Sequence, residues 1–149
     1  MSATDWSVFG PRFRPYPHQV AVAQRLLEGR SVLLRAPTGS GKTEAICGPF
    51  LYSLECGGKL PDRLVYSLPI RVLATTLRDR ARRWREGLAF CQHGEEPEAA
   101  LFQRPLVFAT IDQSLGSFMS CPPSLPRKLG NVPAGAVLSA MLAFDEVQL

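Results

Sequence analysis

Eight consecutive residues, Ala36-Pro37-Thr38-Gly39-Ser40-Gly41-Lys42-Thr43, constrain this chain more than any other feature. An apolar run, Val32 to Arg35, precedes them and a helical pattern follows, the strand, turn and helix context that a phosphate-binding loop requires. Gly39 and Gly41 let backbone N–H groups turn inward around phosphate oxygens, and the helix N-terminus adds its partial positive charge. Lys42 reaches the outer phosphates and the Thr43 hydroxyl is placed to hold Mg2+. The nucleotide-contacting run is therefore Thr38, Gly39, Ser40, Gly41, Lys42 and Thr43, with ATP and Mg2+ as the implied ligands. A loop of this kind belongs to an α/β sheet, so the rest of the chain is read for alternating strands and helices.

That alternation is present. Five strands are predicted, Val32 to Arg35, Leu64 to Leu68, Leu88 to Cys91, Leu106 to Ala109 and Met141 to Phe144, each short and apolar as buried parallel strands are. A helix is predicted from near Gly41 to about Glu55, kinked or split at Gly48-Pro49, with Phe50, Leu51 and Leu54 facing the sheet. A second helix carries Leu73, Leu77, Ala81, Trp84 and Leu88 as one apolar stripe, beside an Arg71, Arg78, Arg82 and Arg85 stripe. Ser117 to Gly135, rich in Pro and Gly, reads as loop. The fold class is α/β with a mostly parallel sheet and helices on both faces.

Composition narrows the function classes. At 149 residues, 46% hydrophobic and 20% charged, the chain matches one globular domain and not a disordered, collagenous or coiled-coil sequence. Its longest apolar run, Val137 to Phe144, is eight residues long and includes Ser139, well short of the roughly 20 needed to cross a bilayer. Met1 to Trp6 lacks the basic and apolar regions of a secretory signal, making the cytoplasm the default compartment. Cys47, Cys56, Cys91 and Cys121 then read as reduced thiols, and with His18 and His93 they form no metal-ligand spacing. Of 17 basic residues 14 are Arg, six of them between Arg71 and Arg85. Such a stripe suits phosphate-bearing partners, and equally suits a solvated helix face.

Three further segments complete the functional reading. Asp145-Glu146-Val147-Gln148 follows the last strand, where an NTPase places an acid for Mg2+, Asp145, and one that polarises the attacking water, Glu146. Pro15-Tyr16-Pro17-His18-Gln19 precedes the first strand. Its Gln19 amide matches the edge of adenine, with Phe9, Phe13 or Tyr16 available to stack on the base, but Pro17-His18-Gln19 equally suits a plain helix start. Ser67-Leu68-Pro69-Ile70-Arg71 and Thr110-Ile111-Asp112-Gln113 lie at C-terminal strand ends, where open α/β sheets bind ligands. There Ser67, Arg71 and Thr110 are candidate donors to nucleic-acid phosphates, or simply strand ends and helix caps.

In this order the motifs resemble the first RecA-like domain of superfamily 2 helicases, P-loop NTPases whose domain would occupy residues 1–149 as an incomplete N-terminal part. Gly41-Lys42-Thr43-Glu44-Ala45, Leu68 to Leu73, Gln92-His93-Gly94 and Thr110-Ile111-Asp112-Gln113 look most like the CRISPR-associated helicase-nuclease of type I systems. That resemblance implies antiviral defence, single-stranded DNA as the track, a guide-RNA surveillance complex as partner, and catalysis resting on Lys42, Asp145 and Glu146. Gln148 stands where that family often has His. The Ser-Ala-Thr-type motif, the second RecA-like domain with its arginines, and the nuclease domain are missing from these residues, so weak nucleotide binding and slow hydrolysis are expected of the chain alone. Two alternatives accompany this reading: another superfamily 2 RNA or DNA helicase or translocase, and a catalytically silent remnant that binds ATP or DNA.

Overall fold

A computed structural model describes residues 4–92, 101–121 and 129–146, in two compact units, Met1–Leu60 and Pro61–Leu149. The first is helical. A single turn of 3-10 helix, Ser7–Phe9, leads to α1 (Pro17–Leu27) and α2 (Lys42–Cys56), which pack together. Pro17 opens α1, where its missing N–H costs nothing, and the Gln19 side-chain oxygen accepts the Tyr16 N–H at 2.8 Å. Trp6 stacks on Phe13 and lies over Gly48, where an added Cβ would stand 2.6 Å from the indole.

Two expectations for this unit change. The predicted strand Val32 to Arg35 forms no strand: residues 31–37 take part in no strand pairing among the described residues and Leu33 is 80% exposed. Apolar alternation reports a half-buried surface and supplies no ladder partner, without which extended backbone is not a strand. Of the kink or split expected at Gly48-Pro49, the split does not occur, since α2 runs unbroken from Lys42 to Cys56 with Pro49 inside it. Proline in a helix costs about 3 kcal/mol. Phe50 and Leu51, both buried, return about 1.5–3 kcal/mol each. Leu54 is only half-buried.

The second unit is an α/β layer structure. Its four strands are β1 (Leu64–Leu68), β2 (Ala89–Gln92), β3 (Leu106–Thr110) and β4 (Met141–Phe144), all parallel, in the order β2-β3-β1-β4. β1 and β3 are central and wholly buried, which explains their uninterrupted apolar sequences. Between strands run α3 (Arg71–Arg82), α4 (Ile111–Phe118) and α5 (Asn131–Leu138). On one face Cys91, in register with Phe108, meets Thr75 and Arg78 of α3. On the other, Val65, Val107 and Ala109 form a core with Ala136 and Val137 of α5. Helices therefore cover both faces, as the sequence pattern requires.

The helical stripe after β1 is shorter than its periodicity. α3 stops at Arg82, so Trp84 and Leu88 fall in the turns before β2, although Leu88 is buried. The segment expected to be loop up to Gly135 contains the end of α4 and the start of α5. Pro133 sits in the first turn of α5, where a proline removes no hydrogen bond the helix uses. Among the described residues no helix is long and apolar enough to cross a membrane.

Candidate nucleotide and nucleic-acid site

In the helical unit the loop before α2 has the backbone its glycines foretold. Gly39 and Gly41 adopt left-handed φ values of 78° and 77°, which side-chain-bearing residues rarely take. Gly41 is the N-cap of α2, and a methyl group there would overlap Nε2 of Gln19. That Nε2 donates to the Gly41 carbonyl at 2.8 Å, and His18 Nε2 pairs with the Ser40 carbonyl at 2.9 Å. Two residues of α1 thus brace the loop from one side. Gln19 is 1% exposed. Both ends of its amide serve the helix start and the loop, which leaves one N–H and one lone pair for a base.

Around the loop, Thr38 and Gly39 are exposed, Ser40 and Lys42 half-buried, and Thr43 buried. Lys42 Nζ donates to the Ala36 carbonyl at 3.2 Å, folding the ammonium back over the loop. Ser40 Oγ is buried without a hydrogen-bond partner among the described residues, an orphaned hydroxyl between the two left-handed glycines. A hydroxyl in that position fits an anion, since burying it unpaired costs about 1–3 kcal/mol. Of the aromatic candidates, Phe9 and Phe13 pack with Trp6, whereas Tyr16 is 57% exposed and stacks on His18 at 5.7 Å.

In the second unit the parallel register brings three strand ends into one row. Ser67 lies between Ala109 and Phe144, so Leu68, Thr110 and Asp145 emerge side by side at the C-terminal edge. The Asp145 N–H donates to the Ser67 carbonyl at 2.9 Å. One carboxylate oxygen of Asp145 accepts the Tyr66 hydroxyl at 2.7 Å and the other accepts the Glu146 N–H at 2.9 Å. The acid is held at both oxygens and remains half-exposed, with lone pairs left for a cation. Glu146 is exposed and sits at φ 57°, a conformation costing roughly 1–2 kcal/mol for a residue with a Cβ. Such strain concentrates at functional sites.

The nucleic-acid candidates separate by exposure. Arg71 opens α3 and is exposed; Thr110 is the N-cap of α4 and 5% exposed. Ser67 is fully buried. Its hydroxyl donates to Ser114 Oγ at 2.7 Å, and Ser114 in turn donates to the Thr110 carbonyl at 3.2 Å. Sequence reasoning missed Tyr66 and Ser114. A tyrosine inside the buried strand β1 and a serine one helical turn after Thr110 were the available signals, because buried hydroxyls need partners. Val147 and Gln148 lie outside the described residues, as does His93.

Comparison with known proteins identifies relatives by sequence. The model of the DEAD/DEAH box helicase family matches residues 16–148. The chain is 49% identical over 61 residues to the ATP-dependent RNA helicase DeaD of Buchnera aphidicola subsp. Schizaphis graminum, covering 41% of the chain and 10% of that protein. It is 30% identical over 83 residues to the probable ATP-dependent RNA helicase YfmL of Bacillus subtilis, 56% of the chain and 22% of YfmL. Over 79 residues it is 35% identical to the probable ATP-dependent RNA helicase DDX52 of Bos taurus, 53% of the chain and 13% of that relative. The chain thus spans a small part of each relative's length.

Proposed function

The chain belongs to the DEAD/DEAH box helicase family, and from that premise we propose that residues 1–149 are part of the first RecA-like domain of an ATP-dependent RNA helicase. The observation that carries this reading is the loop at Gly39 to Thr43, with two left-handed glycines, an orphaned Ser40 hydroxyl and Lys42 at the start of a helix. RNA takes the place of single-stranded DNA because the relatives above are named as RNA helicases. The narrower likeness to a CRISPR-associated helicase, with its antiviral role and guide complex, has no support among them.

In this reading the loop N–H groups, Ser40 and Lys42 bind the triphosphate of ATP, while Gln19 and His18 hold the loop in shape. Thr43 in the first unit and, separately, Asp145 in the second each would offer hard oxygen donors of the kind that suits Mg2+. Mg2+, when bound, would supply charge neutralisation of the phosphoryl group. Tyr66 orients the Asp145 carboxylate, and Glu146 positions water and takes its proton. Arg71 and Thr110 grip the phosphate backbone of RNA at the adjacent strand ends, without regard to sequence. Ser67 acts from beneath, fixing Ser114 and through it Thr110.

Fluorescence titration of the 149-residue chain with a ribose-labelled ATP analogue, with and without Mg2+, tests the proposal. Binding that needs Mg2+ and falls at least about tenfold in Lys42→Ala is the expected result, a loss of roughly 1.4 kcal/mol. Binding indifferent to both overturns the assignment. Competition between single-stranded RNA and DNA of one sequence decides the track, with RNA expected to win.

A further inference from the structure

We infer that the outer surface of α4 and α5 is a docking face for a second copy of this chain, closing a two-fold dimer through the second unit. Both helices lie on one side of the sheet. Val65, Val107 and Ala109 pack with Ala136 and Val137 of α5, and Ser67, two residues after Val65 and so on the same side of β1, meets Ser114 of α4. The two helices also pack on each other. What each turns away from the sheet therefore belongs to one surface.

α4 is built inside out. Its buried residues, Gln113, Ser114 and Ser117, are all polar, whereas Leu115, Phe118 and, just past its end, Met119 are exposed. Steps of three and four residues put each set on its own face, and a surface helix ordinarily has the apolar one inward. Buried polar groups beneath an exposed apolar stripe are the departure that carries information. Ser117 Oγ is buried with no hydrogen-bond partner among the described residues, so α4 is not held by its inner face alone. α5 adds Val132 and Leu138 to the outer surface, and Leu129 precedes it there.

The exposed parts of these six residues, from 42% for Val132 to 71% for Met119, amount to roughly 600 Å2 at about 200 Å2 for each large side chain in full. Patches of about 300–600 Å2 are the largest that a typical monomer shows. Covered by its own copy, this one removes about 1,200 Å2 from water, enough for a specific interface at the lower bound of size. Charge selects the occupant. Within α4 and α5 only Asp112 is charged, although the whole chain carries +4. Nucleic acid or an anionic membrane needs cations that this face lacks, and a charged peptide would leave its own charges unmatched. A second copy supplies an apolar surface of equal size and equal neutrality, and most closed homo-oligomers pair one patch with itself in this way.

Sedimentation velocity of the full chain without nucleotide, from about 1 to 200 μM to span the range expected of a small interface, tests it. The mass should rise with concentration from the 16.4 kDa of one chain to twice that and no further, because a two-fold contact closes on itself. Leu115→Glu with Leu138→Glu, both at exposed positions, should raise the dimer dissociation constant by at least about a hundredfold, since unpaired charges would be buried. Leu33→Glu, at an exposed position of the first unit, should leave it unchanged. Leu115→Lys with Leu138→Lys should also stay monomeric alone, and an equal mixture of the Glu and Lys chains should dimerise again, which misfolded chains would not do. A single-chain mass throughout, association that climbs past two copies, a dimer that survives the Glu changes, or a mixture that stays monomeric overturns the inference. None of these outcomes touches the nucleotide and RNA reading above, which rests on other residues.

Discussion

Tyr66 and Asp145 are 79 residues apart in sequence and joined by a 2.7 Å hydrogen bond in which the fully buried phenol donates to the half-exposed carboxylate. Parallel pairing of β1 with β4 makes the contact, since Tyr66 is in register with Ala143 and the next residue on that face is Asp145. The bond fixes which way the carboxylate points. Tyr66→Phe keeps the ring and removes the donor, so stability should fall by only about 1 kcal/mol. The affinity for Mg2+ at Asp145 should fall roughly tenfold, as it does when the partner of a metal ligand is removed. A Mg2+ titration of the variant beside the unaltered chain measures this; an unchanged midpoint would show that Tyr66 only fills space.

The glycines of the loop should not be equivalent. Both have left-handed φ, but a methyl at Gly39 meets nothing within 4 Å whereas one at Gly41 overlaps Gln19. Gly39→Ala is expected to cost about 1–2 kcal/mol from backbone conformation alone. Gly41→Ala adds displacement of Gln19 and loss of its bond to the Gly41 carbonyl, about 1 kcal/mol more. Urea denaturation of both variants gives the order, with Gly41→Ala the less stable.

Four thiols should divide into two classes. Cys56 and Cys121 are exposed; Cys47 and Cys91 are buried. Native chain treated with a chromogenic disulfide at neutral pH should release two equivalents quickly, and the remainder only on unfolding. Burial pushes the Cys91 thiol up, with the nearby Arg78 guanidinium offsetting part of the effect. Because the folded state then holds the proton more tightly than the unfolded one, this thiol contributes stability that is complete below its ordinary value of 9.0 and declines as pH rises above it. Denaturation midpoints of Cys91→Ala and the unaltered chain should therefore converge above that pH.

Ser67 and Arg71, four residues apart in sequence, should fail differently. Ser67→Ala removes a buried donor to Ser114 and is expected to lower stability by about 1 kcal/mol with the salt slope of RNA binding unchanged. Arg71→Gln should leave stability alone and reduce that slope by about 0.7, the share of one phosphate on a single strand. A Ser67→Ala variant that keeps its stability but binds RNA more weakly at every salt concentration would place its hydroxyl on the RNA after all.

What the sequence disclosed and what it hid follow from the range of the interactions involved. Gly39, Gly41 and Thr110 were legible because backbone conformation and capping are set within a few residues, and β1 and β4 were bounded correctly because Pro, Gly and polar residues punctuate them. The length of α3 was not, since the apolar stripe continues through Trp84 and Leu88 although the helix stops at Arg82. Periodicity records burial, and a turn can bury residues at the same spacing. Val32 to Arg35 failed for the complementary reason: a strand is defined by its neighbour, and no local pattern states whether one is present. Ser67 looked like a surface donor because its pairing with Ser114 depends on how a helix 47 residues on packs over the strand.

If the loop from Gly39 to Thr43 binds the phosphates of a magnesium-nucleotide, Lys42 and Thr43 act on one ligand. A double-mutant cycle on ATP-analogue affinity, using Lys42→Ala, Thr43→Ala and the pair at fixed Mg2+, decides it. Non-additivity is expected: the double variant should bind about as weakly as the weaker single variant, a coupling of about 1 kcal/mol or more, within the range of about 0.5–3 kcal/mol found for groups in one network. Losses that simply add, or a Thr43→Ala variant that binds as tightly as the unaltered chain, would refute it.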